Sequence, residues 1–283
     1  MPAALRADRL LISCVIAPHW ERAMSDNIQQ SVADSLEVEK KLLPYMSYLL
    51  QDLWALGSSV DQILDLLSTL PLSADTAKVL DLGCGKGAVS VQIAWRFGFH
   101  VVGVDAMPDF LRDAHKKSSE YQVSDLCTFI EQDILTYVID KHDFDVVILA
   151  SLGGIFVSNK DTIKKMRTQV RPGGYMVIDD GYLKKREFLS RKGYGHYRNY
   201  EKTVEELIMF NDRLLTEIPT TEASIKINDE YLKVIESRSI ELIDQYPELE
   251  EDLSRYLDDQ REECDILNSE LEGMIWVLKK AAV

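Results

Sequence analysis

A chain of 283 residues, 46% apolar and 28% charged, with 14 Gly, 8 Pro and 4 Cys, has an ordinary globular composition; disorder, collagen-like repetition and a disulfide-stapled miniature are excluded. Cys14, Cys84, Cys127 and Cys264 are far apart and form no Cys-x-x-Cys pair, so they offer neither a zinc knuckle nor a disulfide framework, and a reducing cytoplasm fits best. The formal net charge of −15 belongs to one segment: residues 201–272 hold 22 acids and 7 bases and the rest of the chain 25 of each, and so negative a surface repels nucleic-acid phosphates.

Two arginines precede a short apolar run at residues 10–17, too short and without the cleavage site of a signal peptide. Residues 1–23 are read as a disordered extension ahead of Met24. No stretch approaches the roughly 18 apolar residues of a membrane span. From residue 38 to 70 apolar residues recur at helical spacing, giving two amphipathic helices broken near Gly57-Ser58-Ser59. At Ala77 the pattern switches to short apolar runs alternating with amphipathic segments, which means parallel βαβ units.

The expected strands are 78–82, 100–105, 128–132, 145–150 and 175–179, with helices at 88–97, 108–121 and 159–170 between them. Pro172-Gly173-Gly174 is read as a turn feeding the fifth strand. A basic, aromatic loop at 184–200, a helix at 203–210 and a sixth strand at 214–218 follow. Residues 221–268 read as two acidic helices, the second opened by Pro247 and facing inward with Leu249, Leu253, Tyr256, Leu257, Cys264 and Leu267. The acids lie mostly off that stripe, as on a solvated face. A seventh, apolar strand at 273–278 closes the chain.

The densest chemical signal is Val79-Leu80-Asp81-Leu82-Gly83-Cys84-Gly85-Lys86-Gly87, a buried strand running into glycines and then a helix. Glycines let the backbone turn sharply and approach a ligand, and the helix that follows is expected to aim free N–H groups into the same space. Asp105 ends the second strand, 22 residues after Gly83, where a carboxylate can accept from both hydroxyls of an adenosine ribose. In order, these features define a nucleoside-binding α/β unit.

The set resembles a class I S-adenosylmethionine-dependent methyltransferase. The family's acid-x-Gly-x-Gly-x-Gly motif is matched by Asp81, Gly83, Gly85 and Gly87, its second-strand acid by Asp105, its third-strand Asp by Asp133, and its Arg-Pro-Gly-Gly turn by Arg171-Pro172-Gly173-Gly174. The resemblance, which covers about residues 77–218 and the last strand, implies a Rossmann-like seven-stranded, mostly parallel α/β sheet, to which this chain's own pattern adds an N-terminal helical cap and a helical insertion before the last strand. The expected division is a cap at 24–75, a cofactor domain at 76–220, an acidic insertion at 221–270 and a last strand within 271–283. S-adenosylmethionine is then the cofactor. Backbone at Gly83, Cys84 and Gly85 would face its methionine part, Asp105, Ala106 and Met107 its ribose, Asp133 and Ile134 its adenine, and Ala150 and Ser151 its sulfur. A nicotinamide-dependent dehydrogenase is the rival, because Gly83-x-Gly85-x-x-Ala88 also satisfies a dinucleotide fingerprint. Asp81 opposes it, being poorly placed for a pyrophosphate and well placed for a cationic sulfonium compound with an amino group.

Methyl transfer needs alignment and exclusion of water, and a general base only where the acceptor carries a proton. Candidates beyond the fifth strand are Asp179, Asp180 and Tyr182, with His196 in the basic loop. In place of the Asn/Asp-Pro-Pro-aromatic run of nucleic-acid-amino methyltransferases stands Ala150-Ser151-Leu152-Gly153-Gly154, which argues against base flipping. The expected acceptor is a small molecule. An RNA or protein acceptor and a non-catalytic binding protein are the alternatives. No metal and no membrane are expected, and a homodimer is left open. Tyr45, Tyr48, Gln51, Trp54 and Tyr231 are candidates for an aromatic substrate chamber.

Overall fold

The computed structural model describes residues 25–282 apart from 186, 190 and 192. The extension expected at residues 1–23 lies outside the described residues. Among the described residues three α-helices precede the sheet: α1 (Asp26–Ser35), α2 (Leu43–Leu49) and α3 (Val60–Leu67). Apolar spacing did not foretell α1, whose buried face is only Val32 and Ala33; its start is set by Ser25, whose side chain accepts from the Ile28 N–H. The expected break at Gly57 is there, at φ +97°.

Seven strands follow: β1 (Lys78–Leu82), β2 (His100–Asp105), β3 (Cys127–Glu131), β4 (Phe144–Ala150), β5 (Val170–Leu183), β6 (Arg213–Pro219) and β7 (Leu271–Lys279). Their order in the sheet is β3-β2-β1-β4-β5-β7-β6. β7 runs antiparallel to both neighbours, and β1 to β5 are parallel. The crossovers are α4 (Ala88–Phe97), α5 (Pro108–Glu120), the short α6 (Ile134–Tyr137), α7 (Asn159–Gln169) and α8 (Tyr200–Leu207); α9 (Thr221–Gln245) and α10 (Glu250–Glu270) form the insertion before β7.

β5 outruns the expected 175–179 at both ends, so that Asp180 and Tyr182 lie within the strand and not beyond it, held there by pairing with β7; two further departures have local reasons. Pro172-Gly173-Gly174 is not a turn ahead of β5 but a bulge within it: Val170 pairs with Phe144, the register shifts, and Tyr175 pairs with Val146 while Gly173 takes φ +73°. The helix expected at 203–210 begins at Tyr200, because Asn199 caps it by accepting from the Lys202 N–H.

Strand alternation sends Val79, Val146, Val177 and Ile275 to one face, against α3 and α4, and Leu80, Val147, Met176 and Trp276 to the other, against residues of α6, α7 and α8. A third apolar cluster joins Leu42, Met46 and Leu49 of the N-terminal cap to Ile235 and Leu242 of α9 and Leu253 of α10, with Met107 and Phe110 at the head of α5. Each such fully buried side chain contributes about 1.5–3 kcal/mol. The cap and the acidic insertion therefore hold one another beside the end of β2 through Leu253, Tyr256 and Leu257 of α10, while Leu267 packs against Leu183, Leu189 and Tyr194. No helix among the described residues is long and apolar enough to cross a membrane.

Candidate active site

After β1 the chain turns to β2 on one side and to β4 on the other, and such a switch opens a crevice beyond the carboxyl ends of the strands. Its floor is the glycine loop. Gly83, Gly85 and Gly87 all have left-handed φ, at +69°, +51° and +73°, which L side chains resist. A Cβ on Gly83 would lie 2.3 Å from Leu152 Cδ1, and one on Gly85 3.2 Å from Leu56 Cδ1. Those two leucines roof the crevice. Cys84 turns back towards the sheet, where its Sγ would meet a Cβ on Gly103 at 2.8 Å. Burial and the charge of Asp105 push its thiol well above the ordinary value, so it stays protonated and unreactive.

The loop amides are committed internally. Gly83 and Cys84 donate to Val104 O at 2.8 and 3.1 Å, and Gly87 to Cys84 O at 2.8 Å. Gly85 donates to Asp105 Oδ2 at 2.8 Å, and Met107 to Asp105 Oδ1 at 2.8 Å. The N–H groups of Gly83, Cys84, Gly85 and Gly87 are thus all taken up within the protein. Instead two carboxylates flank it. Asp81, 2% exposed, accepts from Ser90 Oγ at 2.6 Å in the first turn of α4, and burial, with Asp105 adding, pushes it up to about 6. Asp105 is raised by burial as well, against the pull of its N–H donors. A cradle with this charge suits a cation and repels a pyrophosphate.

The cap closes the near wall. Trp54 Nε1 donates to Lys86 O at 2.9 Å, and Lys86 Nζ donates to Leu50 O at 2.6 Å with Asp113 at 3.4 Å. Lys86 is therefore an anchor for the cap, not a ligand-facing cation. Ala150 lines the crevice with Trp54, Leu56 and Ser58. Ser151 leaves it, exposed and at φ +55°, its N–H given to Asp179 O at 2.9 Å. Asp133 caps α6 by accepting from the Leu135 N–H at 3.0 Å, and the Ile134 side chain is buried in the core. Ala106 and Met107 pack towards the cap.

Within β5, strand alternation separates two adjacent acids. Asp179 is buried, accepts from the Ser59 N–H at 2.7 Å, and is raised to about 7 by burial and by Asp180; it fixes the start of α3. Asp180 lies 3.4 Å from His196 Nε2. His196 is 4% exposed, its Nδ1 is 3.2 Å from Gly193 O, and its Nε2 makes no hydrogen bond. Both ring nitrogens thus face oxygens, Nδ1 the Gly193 carbonyl and Nε2 the Asp180 carboxylate. A Cβ on Gly153 would be 3.6 Å from His196 Cε1, so the imidazole borders the same loop whose Leu152 covers Gly83. Tyr182 is engaged elsewhere, its ring 5.2 Å from that of Tyr200 and 6.5 Å from that of Trp276.

A family model described as a methyltransferase domain matches residues 73–252. The chain belongs to the methyltransferase family. It is 28% identical to the Drosophila melanogaster U6 snRNA methylphosphate capping enzyme Amus over 152 residues, 46% of this chain and 50% of that one. It is 30% identical over 115 residues to the 2-methyl-6-phytyl-1,4-hydroquinone methyltransferase of Synechocystis, 40% of this chain and 34% of that one. This methyltransferase thus spans half or less of the length of these curated relatives. Among solved structures, an S-adenosylhomocysteine complex of a SAM-dependent methyltransferase from Thiobacillus denitrificans shares the fold, with TM-score 0.69 and 18% identity over 82% of this chain and 96% of that one.

Sequence reasoning missed the roof of this methyltransferase's crevice, Leu56 and Leu152, because aliphatic loop residues carry no pattern. The residues offered for an aromatic chamber are dispersed, their alternative role of packing the helices accounting for the tyrosines. Trp54 alone of those candidates is a crevice residue; Tyr45 meets Tyr246 edge-on, Tyr48 donates to Glu241, and Tyr231 and Tyr256 share a hydrogen bond of 2.6 Å. The basic loop is tied down by acids, with Arg191 2.5 Å from Glu37 and 3.3 Å from Glu262 and the Tyr194 hydroxyl donating to Glu263.

Proposed function

We propose that this methyltransferase uses S-adenosylmethionine to methylate a small-molecule acceptor. The observation that carries the reading is the glycine cradle between two carboxylates, the buried Asp81 and the half-buried Asp105, with its amides turned inward. When bound, S-adenosylmethionine supplies an electrophilic methyl on a sulfonium, a leaving group that needs no acid. Asp105 has acceptor capacity left for the ribose hydroxyls, and Asp81 with the bare backbone of Gly83 and Gly85 offers negative charge to the amino-acid end. Asp133 Oδ2 remains for the adenine amino group, and Ala150 borders the sulfur side.

The chain's own part is positioning, dehydration and proton removal. Leu56 and Leu152 swing aside for entry and then exclude water. Asp180 takes the proton from a hydroxyl or ammonium acceptor, and the His196 imidazole beside it, with Nε2 at 3.4 Å, orients its carboxylate. A small acceptor is favoured because the cap and insertion cover this end of the sheet and because the basic loop spends Arg191 on Glu37 and Glu262.

A thermal-shift panel tests the cofactor: S-adenosylhomocysteine and S-adenosylmethionine raise the melting temperature, NAD and NADP do not. Asp105→Ala and the milder Asp105→Asn abolish that rise. A rise with NAD, or one retained in both variants, overturns the assignment. Release of S-adenosylhomocysteine with a low-molecular-weight metabolite fraction tests the acceptor; release only with RNA or protein fractions overturns the small-molecule reading, and no release with any fraction makes this a binding protein.

A further inference from the structure

At the opposite end of the sheet, where β4 and β5 begin, a cavity of about 320 Å³ has five Lys or Arg and one acid, Asp143, among its eleven lining residues. Three of the cations are anchored. Arg167 pairs with the buried Asp212, Arg171 Nε lies 2.6 Å from Asp145, and Lys280 Nζ donates to the carbonyls of Arg167 and Val170 at 2.6 Å each, at the C-terminal end of α7. The other two, Lys141 and Lys164, are exposed and have no ion-pair partner among the described residues. Burial, together with the nearby positive charges of Arg167 and Lys141, holds the Lys280 ammonium below its ordinary value. These cations are close enough to repel one another.

Helix capping accounts for Lys280 and ion pairing for Arg167 and Arg171. Neither accounts for Lys141 and Lys164 on the same wall of a chain that carries a net charge of −15. The anchored guanidinium groups supply fixed donors, the two free lysines supply charge, and Pro172 and Phe210 give the cavity an apolar side. Fixed guanidinium donors with mobile ammonium groups suit phosphate oxygens.

We propose that this cavity binds a compact multivalent oxyanion, pyrophosphate or the phosphate of a small ester, at a site separate from the methyl-transfer crevice. The occupant would brace the end of α7, the start of β5 and the chain after β7. Isothermal titration and thermal shift at constant ionic strength, with pyrophosphate, glycerol phosphate, sulfate and a short RNA as probes, test it. Saturable pyrophosphate binding at one site per chain is expected, with a raised melting temperature. The K141Q/K164Q double variant should bind about tenfold or more weakly while melting like the parent without ligand, and K226Q/K233Q, on the acidic α9, should bind like the parent. Saturable binding of glycerol phosphate as well assigns the site to phosphate esters, and binding of pyrophosphate alone assigns it to the free anion. Absence of saturable binding, equal weakening in both double variants, or binding of RNA without pyrophosphate overturns the proposal.

Discussion

The carboxylate at the root of the glycine loop makes cofactor affinity depend on pH. Asp81 is buried, retains one hydrogen bond from Ser90 Oγ at 2.6 Å, and ionises at about 6 where an ordinary aspartate does so at 3.8. Holding it ionised in the ligand-free fold therefore costs about 3 kcal/mol. Because the folded value lies above the unfolded one, that cost is absent below pH 4, grows as pH rises through 6, and is complete above it. A cation beside Asp81 offsets the cost, so a ligand that needs the ionised form gains affinity with rising pH and reaches a plateau above 6. From pH 7.5 down to 5.0 the affinity for S-adenosylhomocysteine, whose amino group stays protonated, should fall about tenfold from Asp81 alone. Isothermal titration of the parent and Asp81→Asn measures this. The variant keeps an acceptor oxygen for Ser90 and loses the charge. It should bind about tenfold or more weakly at pH 7.5 and lose the step near pH 6, retaining only what Asp105 contributes. Parent affinity that stays constant across that range, or an Asp81→Asn variant as tight as the parent, would refute the electrostatic argument.

Two further outcomes are expected. Asp179, raised to about 7, costs the ligand-free fold about 4 kcal/mol when fully ionised. Asp179→Asn keeps an acceptor for the Ser59 N–H, so it should be more stable than the parent by a few kcal/mol at pH 8 and equal to it at pH 4 in urea unfolding; a variant less stable at pH 8 contradicts the cause assigned to the shift. In the proposed base pair, His196→Gln and Asp180→Asn should lower S-adenosylhomocysteine release by about 100-fold or more and leave the melting-temperature rise with S-adenosylhomocysteine intact. Turnover within a few fold of the parent would show that the acceptor needs no base from this pair.

Residues 78–105 carried their own structure. Val79, Leu80 and Leu82, three apolar residues of the four between Lys78 and Gly83, make a short buried strand, and the glycines, the helix from Ala88 and the acid at position 105 follow at fixed spacing, so β1, α4 and β2 end where local chemistry says. Periodicity likewise announced the inward stripe of α10. Tertiary structure decided whatever depends on which side of a strand or loop a residue falls. Asp179 and Asp180 are interchangeable in sequence, yet strand alternation gives one to the Ser59 amide and the other to His196. Nothing in the loop motif says where Lys86 points, and packing of the cap turns it to the Leu50 carbonyl. Five cations drawn from between positions 141 and 280 share one cavity only because β4, β5, α7 and the end of β7 meet there. Short-range propensities specify elements and their ends; which side chains then share a crevice is set by long-range packing, which brings residues together across separations that no local pattern records.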